Sequence, residues 1–364
     1  MPTSFQIPPI DAWTASSLMQ KAIRRGEVEY AEAAALAFHR MRGNSIWRRL
    51  TLISFEDIGP ADPSLCTLVT ELSINISARR QIGSDQETII FLVRKMCAAA
   101  KNREADYLIC AAKQAPFNEP IRSLMAGRSL SERIAIAIDP DAPLLNRAVA
   151  AWMASGINGG GPVVLSRGDM SGLMQNFTRA SNTHAFINAV VYACAKTSEP
   201  IVLMAPLLAL ASGERSEVAS IIEEPLPPSL MCAGLPSWTF DKHTRLGKSA
   251  IRQLLVQDQP FRDCIADFVP EYRSLETAAM AAFYADAISV KRRAAWSLSS
   301  ELYALGLRTD MTKIGVPENG VEPIVSAMNC ALEHLNDIRQ RLRITATCRF
   351  TWHAEELETG QCPS

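Results

Sequence analysis

Apolar residues in this chain recur at every third or fourth position and almost nowhere at every second. That period is the strongest constraint on its fold. "DAWTASSLMQKAIRRG" keeps a helical period up to Gly26, and "EVEYAEAAALAFHRMRG", rich in Ala and Glu, keeps it up to Gly43. Glycine ends each run, so an antiparallel hairpin of two helices with a very short link is predicted. "SIWRRLTLISFEDIG" follows as a third helix. Ile46, Leu50 and Ile53 fall on one stripe with Trp47 beside it, and Arg48 and Arg49 lie to the side or away. Pro63 stands where a fourth helix would begin.

The same signals continue. "SDQE" at Ser84 to Glu87 and "SLSE" at Ser129 to Glu132 have the spacing of a capping box, in which Ser and Glu satisfy each other's free backbone donors. Further helices are predicted over 142–155, 183–196 and 200–211, a long or broken one over 272–305, and another over 321–342. Two stretches break the pattern. "SGINGGGPVVLSRGDMSG" is Gly-rich and reads as a loop with a short strand at 163–165. "EEPLPPSLMCAGLPSW" holds too many prolines for a regular element. With no period-two run and no repeat of fixed length, the fold class is all-α.

A chain of 364 residues, 48% apolar and 21% charged, can bury a large core, as two domains or one helical array. Its formal net charge of -1 means that any nucleic-acid contact must come from local patches. The nine cysteines are scattered through apolar segments without a CxxC, which reads as reduced core thiols of a cytoplasmic protein. The start lacks a signal-peptide pattern. The longest apolar run, "IVLMAPLLALA", is too short to span a bilayer, so no membrane is expected as a partner.

Chemical motifs are few. "RLGKSA" contains a GKS, but a phosphate-binding loop needs a glycine five positions before Gly247, where Lys242 stands, and no apolar strand precedes it. No tight, magnesium-dependent ATP binding is therefore expected. The five histidines are isolated, and neither HExxH nor GxSxG occurs. No catalytic residue, cofactor or metal is assigned. Glu56 and Asp57 are adjacent, about 100° apart on a helix, so pairing with a neighbouring arginine or capping a helix is favoured over catalysis.

Basic segments carry more information. "KAIRRG" supplies Arg24 and Arg25, and "WRR" supplies Arg48 and Arg49. "DKHTRLGKSAIRQ" supplies Lys242, His243, Arg245, Lys248 and Arg252. On a helix, Arg245, Lys248 and Arg252 share one stripe. Such a stripe can neutralise phosphates, and it is also what an ordinary solvated face looks like. These nine residues are the candidate nucleic-acid contacts, with the last segment ranked first.

"SSLMQKAIRRGEVEYAEAAALAFHRM" and "WRRLTLISFEDIGPADP" resemble the region that follows the ATPase core in the replication-associated recombination protein A family of clamp-loader-like AAA+ ATPases. "THAFINAVVYACAKTSEPIVLMAPLLA" is similar to a later helix pair of that region, with Lys196 and Ser198 in the linking turn. The resemblance lacks the ATPase half and spaces its two parts about a hundred residues apart. It implies a multi-helix array of clamp-loader collar type with inserted helices. The expected divisions are a collar-like first part (1–80), a helical insertion ending in the Gly-rich loop (81–180), a collar-like helix pair (181–228) and a C-terminal helical region (229–364). It further implies a non-catalytic homo-oligomer acting on DNA in replication, recombination or repair. The alternatives are an interaction module for a separate ATPase or single-strand-binding protein, and an enzyme with a site near Gly159 to Asp169.

Overall fold

The computed structural model describes residues 5–158, 168–181 and 184–359, with side chains through residue 346. The short strand expected at 163–165, and most of the Gly-rich segment offered as an enzyme site, lie outside the described residues.

Nineteen helices make up most of the described residues, as the helical period requires. The first group is α1 (Ala12–Arg25), α2 (Val28–Arg42), α3 (Ser45–Ile53), α4 (Pro63–Ile74), α5 (Ile76–Ile82) and α6 (Asp85–Ala98). Then come α7 (Glu104–Gln114), α8 (Glu119–Ala126), α9 (Leu130–Ile138), α10 (Leu144–Ser155), α11 (Met170–Ala180), α12 (His184–Thr197) and α13 (Ile201–Glu214). The last group is α14 (Arg245–Gln257), α15 (Gln259–Ala266), α16 (Glu271–Ala282), α17 (Ser299–Thr312), α18 (Val321–Cys330) and α19 (Leu332–Thr359).

The α1–α2 hairpin forms as its sequence dictates. Gly26 ends α1 at φ +73°, a left-handed position that favours glycine, and its N–H closes on the Ala22 and Ile23 carbonyls. Both capping boxes form, Ser84 with Glu87 and Ser129 with Glu132. The helix expected as long or broken over 272–305 is the broken one. After α16 the backbone widens into a π-turn over Phe283–Ala287, and strand Arg292–Ala295 separates it from α17. The helix expected over 321–342 is also two, α18 and α19.

Four short strands escape the helical pattern: β1 (Ser220–Glu223), β2 (Met231–Cys232), β3 (Leu235–Pro236) and β4 (Arg292–Ala295). β1 pairs antiparallel with β4, Ser220 opposite Ala295. β2 and β3 form a small hairpin inside the Pro-rich stretch. Ala233 and Gly234, both at positive φ, make its two-residue turn.

One cluster of buried residues runs from Leu18 to Ile338. α13 lies deep within it, with Ile201 through Leu208 buried and Pro206 tolerated inside the helix. A helix that is apolar all round must be covered by protein. Its neighbours α7, α10 and α12 do so, so α13 is consumed by the core and offers no free face for another subunit. α12 keeps one: Val191 and Tyr192 are exposed, beside Asn188 and Ala195. Cys66, Cys97, Cys194 and Cys232 are buried free thiols as expected, whereas Cys330 lies on the surface.

Candidate functional site

The "SFEDIG" turn is the electrostatic centre of the molecule. α3 ends at Ile53 and the chain widens into a π-turn over Ser54–Ile58, which turns Phe55, Asp57 and Ile58 inward together. Asp57 has no exposed surface. Its carboxylate accepts from Arg24 Nε at 2.7 Å, Arg103 Nη1 at 2.6 Å and Gln20 Nε2 at 2.8 Å. Glu56, at the edge, accepts from Arg24 Nη2 at 3.0 Å. Burial alone would raise the Asp57 carboxyl, but the two guanidiniums and Gln20 hold it below the usual carboxylate range. Asn102 N–H bonds the Asp57 carbonyl at 2.9 Å. The loop before α7 thus docks directly on this turn, which the sequence placed in a different region. Arg25 is buried beside Arg24. It donates to Asp286 Oδ1 at 2.7 Å, while Arg339 donates to Asp286 Oδ2 at 2.7 Å.

Arg24 and Arg25 are therefore fixed by carboxylates, and Arg25 in particular is turned into the protein. Arg48 is exposed and reaches back to the Thr197 carbonyl at 2.5 Å and Glu199 at 3.4 Å. Arg49 is half-buried and donates to Gln20 Oε1. Its Nε is buried with no hydrogen-bond partner among the described residues.

Five of the nine predicted residues meet in one cleft of about 630 Å³ between the start of α1, the end of α2, α3, and the turn before α14. They are Arg24, Arg48, Arg49, Lys242 and His243. Lys242 leans over the Phe283 ring, its Nζ 4.3 Å from the ring centre and 3.0 Å from the Met280 sulfur. Lys21, Arg42 and Lys313 complete the cationic wall, and the lining Lys and Arg outnumber Asp and Glu by seven to four. No local sequence signal marks Lys313. Arg42 could have been found as a cation just before a helix-ending glycine.

Arg245, Lys248 and Arg252 lie apart from that cleft, on the outer face of α14. All three are exposed, and no carboxylate pairs with them among the described residues. Thr244 caps the helix, its Oγ1 accepting from Gly247 N–H at 3.1 Å. Gly247 serves packing. A Cβ there would stand 2.0 Å from the Asp241 carbonyl oxygen, so the GKS sequence forms the first turns of a close-packed helix. At the far end of α14, Arg341 of α19 donates to Gln257 at 3.0 Å and adds a further exposed cation.

No family model, no curated protein and no solved structure matches this chain.

Proposed function

We propose that this chain is a non-catalytic, oligomeric, DNA-associated protein of clamp-loader-collar type, holding nucleic-acid phosphates against the outer face of α14. The observation that carries the reading is the contrast between two sets of cations. Arg24, Arg25 and Arg103 are neutralised by buried carboxylates, whereas Arg245, Lys248 and Arg252 lie exposed along about 10 Å of one helix with no carboxylate partner among the described residues. An unpaired row on a chain of net charge -1 concentrates positive potential in one place. The likeness of "WRRLTLISFEDIGPADP" to the replication-associated recombination family supports the same reading.

Fluorescence anisotropy of a labelled duplex, titrated with the full chain at graded salt, tests it. The expected result is an affinity that falls steeply as salt rises, because bound counterions are released from the phosphates. Absence of binding at 50 mM salt, or an affinity indifferent to salt, would contradict it.

A further inference from the structure

The cleft bounded by α1, α3 and the turn before α14 uses none of the α14 face, and its chemistry points to a different, smaller ligand. We infer that it binds a nucleoside 5′-monophosphate unit, the phosphate held by Arg49, Lys242 and Arg42 and the base laid against Trp13.

Four observations carry this. First, three cations of the cleft form no ion pair among the described residues. Arg49 pairs only with the neutral Gln20, Lys242 only with a thioether and an aromatic ring, and Arg42 with no group among the described residues. Second, two of these charges are held at a cost. Burial pushes the Arg49 guanidinium and the Lys242 ammonium below their usual ranges, and an anion between them would relieve both. The buried Arg49 Nε adds an unmet donor, and a guanidinium with free N–H groups suits the tetrahedral oxygens of a phosphate. Third, Trp13 stands at the mouth 70% exposed, on the first turn of α1. An indole left in water beside cations offers a stacking surface for a base. Fourth, about 630 Å³ lies within the range that encloses a ligand of nucleotide size.

The carboxylates of the cleft narrow the choice. Asp241 is held by Lys21, Glu56 by Arg24, Asp310 by Lys313 and Asp106 by Arg103. Each is committed to a protein cation, so recognition here rests on guanidinium and ammonium groups and is independent of magnesium. The phosphate can come from a free nucleotide or from the 5′ end of a strand, since both present the same monoester beside a base.

The test is calorimetry on the full chain in EDTA, in two arms. One compares adenosine 5′-monophosphate with adenosine. The other compares a single-stranded decamer bearing a 5′-phosphate with the same decamer bearing a 5′-hydroxyl. The phosphate-bearing member of at least one pair is expected to bind about ten-fold or more tighter, as one or two charge-assisted hydrogen bonds require. The arm that shows the preference identifies the source. Arg49→Gln and Arg42→Ala should each abolish most of that preference, while Arg245→Ala with Lys248→Ala should leave it intact, so this inference and the α14 reading fail separately. Arg42 is exposed and bonded to no described group, so Arg42→Ala keeps the test decisive if Arg49→Gln unfolds. Equal binding within both pairs, or a preference that survives Arg42→Ala, overturns the inference.

Discussion

Asp57 gathers Arg24, Arg103 and Gln20 at one fully buried carboxylate. Removing one partner of such a network leaves uncompensated charge in a dry site and costs about 3–5 kcal/mol. Asp57→Ala should therefore shift the denaturant midpoint of the full chain sharply downward. A loss below about 1 kcal/mol, the range of a surface pair, would contradict the network's role. Asp241 makes a second prediction. Burial would raise its carboxyl, but the Lys21 ammonium and the neighbouring His243 bring it down to about 2. A carboxyl lowered on folding from about 3.9 gives stability that is complete above pH about 4 and lost as pH falls towards 2, about 2.5 kcal/mol in all. Asp241→Asn should remove that part of the acid limb in pH-dependent denaturation; an unchanged limb would refute the assignment. That Glu56 or Asp57 would pair with a neighbouring arginine was legible in the sequence, but not that the arginine is Arg24, which spacing alone left among the nucleic-acid candidates. Arg103 and Arg339 were not, since nothing local connects Arg103 to Asp57, 46 positions away, or Arg339 to Asp286, 53 positions away.

The helices were readable wherever a local signal stops or starts them. Gly26, Gly43, Asp62 before Pro63 and the two Ser–Glu boxes all act within four residues of the boundary they set. The π-turns and strands were not readable, because distant partners decide them: β1 pairs with β4, and the turn over Ser54–Ile58 is held by α1 and the loop before α7. Of the candidate site, the cationic stripe of α14 was visible from spacing alone. The separation of Lys242 and His243 from it was not, because the Thr244 cap turns the chain between them. Gly247 gives this element a direct test. Gly247→Ala puts a methyl group into the Asp241 carbonyl and should cost about 1–3 kcal/mol. Gly213→Ala in α13, where a Cβ meets nothing within 4 Å, should be neutral or stabilising by up to about 1 kcal/mol. Equal effects in thermal denaturation would show that the close approach at Gly247 does not govern the start of α14.

For the whole molecule, the proposed reading has two parts, an assembly and a surface. Most of α13 is buried in the core, which makes the exposed row on α12 the place to test self-association. Tyr192→Glu introduces a charge there and should shift light-scattering mass from oligomer to monomer at micromolar concentration. A wild-type chain that is already monomeric would remove oligomerisation from the account. The surface is the more central part. Each phosphate contact contributes about 0.9 to the slope of log affinity against log salt on duplex DNA. Measured by anisotropy from low to moderate salt, Arg245→Ala with Lys248→Ala should flatten that slope by about two units while circular dichroism stays unchanged, because neither side chain bonds a described group. A folded double variant with the wild-type slope would contradict α14 as the nucleic-acid face.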